Sequence, residues 1–158
     1  MTSDTALIRP FVEAFGEVLS TMAMMECTTG SPTVKESHQA QGDVTGIIGL
    51  TGNRLKASLA ISFPRAVLVD IMTRLFGESP EEMDEQVSDL VGELTNMTTG
   101  GAKRLLAEAG YDFDMAVPAV ISGEKHLIDH KASGTTLVTP VHTESGDIFL
   151  ELCFEHKA

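Results

Sequence analysis

Apolar side chains at Leu7, Phe11, Phe15, Val18, Leu19, Met22 and Met25 recur at intervals of three and four along Ala6–Met25. That spacing lays them on one stripe of a helix. The Gly/Ser/Thr-rich segment Thr28–Pro32 ends it, and Thr33–His38 is a short strand candidate. The period then changes. Val44–Leu50 and Leu55–Phe63 are β-rich runs flanking the turn T-G-N-R, which predicts a hairpin. Pro64 opens a second helix, since a first-turn residue needs no N–H. Val67, Leu68, Ile71, Met72 and Leu75 form its apolar face, and Gly77 stops it.

Ser79-Pro80-Glu81-Glu82 reads as the cap and first turn of a third helix, with acids where the helix dipole favours them. This helix is expected to reach about Ala109, with Gly110 as its stop. Phe113–Ile121 and Leu127–Lys131 are weaker strand candidates. Thr136–Thr143 and Asp147–Phe154 form a second hairpin around Glu144-Ser145-Gly146. A faint repeat underlies the order of elements. E-A-F-G-E-V-L-S (Glu13–Ser20) aligns with D-L-V-G-E-L-T-N (Asp89–Asn96), and a hairpin lies downstream of each. The expected architecture is an α/β domain of the α+β type. An antiparallel sheet carries long helices on its faces, built from two pseudo-repeated helix-plus-hairpin halves.

With 158 residues, residues 1–158 fit a single domain, and 42% apolar residues suffice for a core. No apolar run approaches the roughly 20 residues of a membrane span. The start M-T-S and the end H-K-A carry neither a signal peptide nor a lipidation signal. The expectation is a cytoplasmic protein with no membrane partner. A net charge of −12 repels phosphate backbones, so no nucleic acid partner is expected. Cys27 and Cys153 are read as free thiols of a reducing compartment, a bridge between them being the lesser alternative.

Candidate chemistry concentrates in Asp89–Asn96. Glu93 and Asn96 stand at i and i+3, with Asp89 one turn earlier, so all three share a helix face while Leu90, Val91, Leu94 and Met97 can pack inward. A carboxylate can pair with a lysine, and a carboxamide can both donate to and accept from a water. Solvent-exposed helix faces often carry such residues without function, but asparagine is a poor mid-helix residue and needs a reason there. Other candidates are weaker. His126 and His130, with Asp129 between them, have metal-ligand spacing only on a helix, whereas E-K-H-L-I-D-H-K reads as a β-edge or turn. T-T-G-G-A-K (Thr98–Lys103) lacks the spacing of a phosphate loop and falls within a helix. Its Gly100 and Gly101 read as allowing close helix packing.

The segment D-x-x-x-E-x-x-N at Asp89–Asn96, followed by Pro118 in V-P-A-V, resembles the signature of the CheC/CheX/FliY chemotaxis phosphatases. V-T-G-I-I-G-L-T-G at Val44–Gly52 and G-G-A-K at Gly100–Lys103 add to the resemblance. The single complete motif, the length and the opening P-F-V-E-A-F look most like the CheX branch.

The resemblance implies a phosphatase acting on the aspartyl-phosphate of a CheY-like receiver domain. Asn96 would orient the attacking water, Glu93 would bind the receiver's active-site lysine, and Asp89 and Pro118 would shape the surface. It implies no cofactor bound by this chain, with Mg²⁺ supplied by the receiver, and a homodimer joined through its sheets. In the first-helix copy Glu17 matches Glu93 but Ser20 replaces the asparagine, so that site is expected to be inactive. Two other functions remain: a receiver-binding or flagellar adaptor that uses the same helix without catalysis, and a metal-dependent or ligand-sensing domain built on the histidines.

Overall fold

The computed structural model describes residues 4–81, 84–123 and 125–157. Its elements run α1 (Asp4–Ala23), β1 (Thr28–Thr29), β2 (Thr33–Lys35), β3 (Val44–Gly52), β4 (Leu55–Phe63), α2 (Arg65–Phe76), α3 (Glu85–Glu108), β5 (Phe113–Met115), β6 (Ala119–Ser122), β7 (Thr136–Thr143) and β8 (Gly146–His156). Among the described residues these strands form one antiparallel sheet in the order β1-β7-β8-β4-β3-β5, with β2 also on β7 and β6 also on β3.

The α+β architecture and the two hairpins are as expected. β3–β4 and β7–β8 meet at the sheet centre, where β4 pairs with β8 from Leu55↔His156 to Ser62↔Phe149. The helices pack on the sheet as expected, and α1, α2 and α3 all cover one face of it. Alternation along the strands supplies that face with Leu55, Leu59, Ile61 and Phe63 from β4 and Ile148, Leu150, Leu152 and Phe154 from β8. They form one core with Phe11, Phe15 and Leu19 of α1, Leu68 and Ile71 of α2, and Val91 and Leu94 of α3. Each such side chain contributes roughly 1.5–3 kcal/mol on burial.

Several boundaries moved, each for a local reason. α3 begins not at Ser79–Glu82 but after Asp84, whose carboxylate accepts from the N–H groups of Gln86 and Val87 at 3.1 and 3.3 Å. Glu82, part of the expected cap, lies outside the described residues. Pro64 is the N-cap of α2, in extended backbone, and not a helical residue. Phe113–Ile121 is not one strand: residues 116–118 interrupt it, and β5 and β6 pair separately with β3. Thr28–Thr29, expected as loop, adds a two-residue strand to β7.

Leu127–Lys131 is not a strand either. Among the described residues its one β-bridge is Gln39↔Leu127, the Lys131 N–H donates to Ser58 Oγ, and the segment lies across the second face of the sheet. There Ala40, Ile47, Ala60 and Ile128 make a small second core. Beside it Glu151, nearly inaccessible, accepts from Lys35 Nζ at 2.5 Å and from His130 Nε2 at 3.1 Å. His130 Nδ1 stands 2.7 Å from Ser58 Oγ, so this network assigns the imidazole proton to Nε2. The buried charge is thus paired and hydrogen-bonded.

Candidate functional site

α3 turns two chemically distinct faces to its surroundings. Val87, Val91, Leu94, Thr95, Thr98, Thr99, Ala102 and Leu106 are buried. Asp89, Glu93 and Asn96 are exposed. Among the described residues none of these three makes a side-chain hydrogen bond or ion pair, so the acid and the amide are both available to a partner.

The buried face contains three threonines, and their hydroxyls need partners. Thr95 Oγ1 donates to the Val91 carbonyl and Thr99 Oγ1 to the Thr95 carbonyl, both at 2.7 Å. Thr98 Oγ1 is buried without a partner. Thr95 sits directly over Gly46 of β3, where an added Cβ would overlap its hydroxyl and come within 3.2 Å of Val91 Cγ1. Gly46 therefore sets how closely α3 seats on the sheet. Sequence reasoning missed this contact. Its signal was a glycine inside the otherwise apolar β-run V-T-G-I-I-G-L.

Pro118 is half-buried in the connection between β5 and β6. Val120 of β6 packs over α3, its Cγ2 lying 3.5 Å from where a Gly92 Cβ would stand. The loop carrying Pro118 is thereby held beside the turn that bears Glu93. Its neighbour Val117 is 88% exposed, a bare apolar side chain that sequence reasoning also overlooked.

The first-helix copy has the same orientation. Glu17 and Ser20 are exposed on α1. A groove of about 270 Å³ between the helices is lined by Glu17, Val18 and Thr21 on one side and Met97, Gly101 and Arg104 on the other. The helices close on each other at Gly101, where a Cβ would come within 3.0 Å of Ala14 Cβ. Gly101 thus has the packing role expected of it. Gly100 does not: it is exposed, and a Cβ there would meet nothing within 4 Å.

The histidines do not converge on a metal. His130 is engaged with Ser58 and Glu151, and His126 pairs with Thr45 Oγ1 at 2.5 Å and with the Gly123 carbonyl at 2.8 Å. Among the described residues no group of three or more His, Cys, Asp or Glu side chains could hold a metal ion. Both cysteines are free, and burial pushes both thiols above their ordinary pKa. No described helix is long and apolar enough to cross a membrane.

What the site offers is an acid and an amide side by side on the outer face of a helix braced by sheet and neighbouring helix. That arrangement suits insertion into another protein's active site better than enclosure of a small substrate.

Known proteins resemble this chain over nearly its whole length. Residues 44–142 match the family model for the chemotaxis phosphatase CheX. The chain is similar to the CheY-P phosphatase CheX of Thermotoga maritima, at 26% identity over 147 residues, covering 92% of this chain and 93% of that one. Among solved structures, a CheC-like superfamily protein from Shewanella sp. PV-4 is 48% identical, with a TM-score of 0.88, covering 98% of this chain and 99% of the other. The chemotaxis protein CheX from Vibrio vulnificus is 44% identical, with a TM-score of 0.87 and coverage of 94% and 99%.

Proposed function

The chain belongs to the CheX family of chemotaxis phosphatases, and from that premise we propose that it accelerates hydrolysis of the aspartyl-phosphate on a CheY-like response-regulator receiver. The observation that carries the residue assignment is the exposed Glu93–Asn96 pair, one turn apart on α3 and free of partners within the described residues.

In this reading α3 inserts beside the phosphorylated aspartate. Glu93 pairs with the receiver's active-site lysine and fixes the dock. Asn96 holds a water in line with the phosphorus. An amide has no useful basicity, so its contribution is positional. Phosphoryl transfer passes through a loose transition state, for which positioning and charge stabilisation do most of the work. Asp89 and Pro118 shape the docking surface. The chain binds no cofactor of its own, and the Mg²⁺ that offsets the developing charge belongs to the receiver.

The proposal extends to a cytoplasmic homodimer joined through sheet edges. Short strands of two to four residues, β1, β2, β5 and β6, leave backbone available there. Sedimentation of the purified protein tests this part separately, and a monomer at micromolar concentration would refute it.

The test of function is the decay of a radiolabelled phosphoreceiver with and without the protein. Acceleration that disappears in Asn96→Ala and Glu93→Ala supports the reading. Acceleration intact in both variants refutes the site. Binding to the phosphoreceiver with no acceleration would establish an adaptor instead.

A further inference from the structure

Three glycines interrupt α3: Gly92, Gly100 and Gly101. Glycine in a helix interior destabilises the helix relative to alanine, so each needs a reason. Two have one inside the chain. At Gly101 a Cβ would press against Ala14, and at Gly92 it would touch Val120. Gly100 has none. It is helical and exposed, its φ is not positive, and a Cβ would enter open space.

Its register supplies the missing reason. Gly100 follows Asn96 by four residues and Glu93 by seven, so it continues the stripe of Asp89, Glu93 and Asn96 by one more turn. The first-helix copy makes a useful contrast. The residue at the corresponding spacing from Glu13 is Met24, which is 83% exposed and lies beyond the end of α1. That copy lacks both the amide and the bare turn beside it.

We infer that Gly100 is a positioning residue of the docking face, leaving bare helix backbone next to Asn96 so that the receiver can approach closely enough for the amide to reach the attacking water. The inference rests on the reading of Glu93 and Asn96 as the docking pair. The missing side chain serves the complex and not the free protein. Near-attack geometry tolerates misplacement of less than about 1 Å, so even a methyl at this position would hold the two surfaces apart by a consequential distance.

The free chain and the complex should therefore respond in opposite directions. Gly100→Ala should raise the thermal midpoint by about 2–4 °C, the gain of helix propensity with no clash. The same variant should lower kcat/KM for phosphoreceiver hydrolysis by about tenfold, and Gly100→Leu by about a hundredfold or more. Both should bind a beryllofluoride-treated receiver more weakly in calorimetric titration. A merely structural glycine would lose stability and activity together, and a fall in thermal midpoint for Gly100→Ala would overturn the proposal. Activity of Gly100→Leu within about twofold of the parent, while Asn96→Ala is inactive, would also overturn it and leave the docking pair standing. If Asn96→Ala and Glu93→Ala are themselves fully active, the docking pair falls and the role of Gly100 falls with it.

Discussion

Thr95 of α3 lies so close over Gly46 of β3 that one added carbon on the glycine would overlap the threonine hydroxyl. Both residues are deep in the fold, and Thr95 is wholly inaccessible. The turn of α3 that presses on Gly46 through Thr95 and Val91 presents Glu93 and Asn96 outward. The height of the outer face above the sheet is thus decided by an absent side chain beneath it.

Gly46→Ala is therefore expected to lower stability by about 1–3 kcal/mol, the usual cost of overpacking. Receiver dephosphorylation should fall with it at temperatures where the variant remains folded. Thr95→Ala in the same chain removes the overlapping hydroxyl and should restore part of the stability. Urea unfolding of the two single variants and the double variant measures the coupling. Strict additivity would show that the two residues are not in the contact described.

The exposed stripe should behave in the opposite way. Asn96→Ala and Glu93→Ala remove no internal contact, so their unfolding free energies should stay within about 0.5 kcal/mol of the parent. Asn96→Ala should lower kcat by about a hundredfold or more through loss of water positioning. Glu93→Ala should act chiefly on KM and on affinity for the phosphoreceiver, because the role proposed for it is docking. Steady-state kinetics separates the two, and identical kcat and KM effects would contradict the division of labour.

Ser20→Ala should keep full phosphatase activity, although Ser20 occupies the place in α1 that Asn96 occupies in α3. Serine offers a hydroxyl but no amide, and is too short to serve both water and phosphate. A decrease beyond about twofold in a phosphoreceiver assay would mean that α1 carries a second working site.

On the far face of the sheet, Glu151→Ala should destabilise the protein by about 3–5 kcal/mol. It leaves the Lys35 ammonium and the His130 N–H without their carboxylate in a buried site. Replacing the pair together, as Lys35→Met with Glu151→Leu, should recover much of the loss by removing both charges at once. Chemical denaturation of the single and double variants checks this. A loss in the single variant below about 0.5 kcal/mol would show the network to be solvated.

Much of the molecule was legible in the chain itself. Apolar periodicity together with cap, stop and turn residues located three helices and two hairpins, because a helix or strand that must bury one side repeats its apolar residues every 3.6 or 2 positions. Helical spacing also put Asp89, Glu93 and Asn96 on one face of a helix, and all three are exposed on α3; the roles proposed for them come from the motif's resemblance. Local signals were weaker where several could compete. Asp84 caps α3 in preference to the Ser79–Glu82 segment. Two short strands stand where one was expected, because ladder pairing with β3 stops after Met115 and resumes at Ala119, with the Ala116 N–H still donating to the Gly49 carbonyl.

Tertiary structure alone decided the rest, because those features depend on contacts between residues distant in sequence. Periodicity says that a helix has a buried side but not which layer receives it, so only the fold placed all three helices on one face. Nothing local shows that Lys35 meets Glu151, or that His126 and His130 are spent on Thr45 and Ser58 and not on a metal. The glycines make the point most sharply. Gly46, Gly100 and Gly101 look alike in the sequence, yet one lies under a helix, one faces open space and one meets a second helix. A missing side chain has meaning only through what approaches it, and what approaches is settled by the packing of the whole chain.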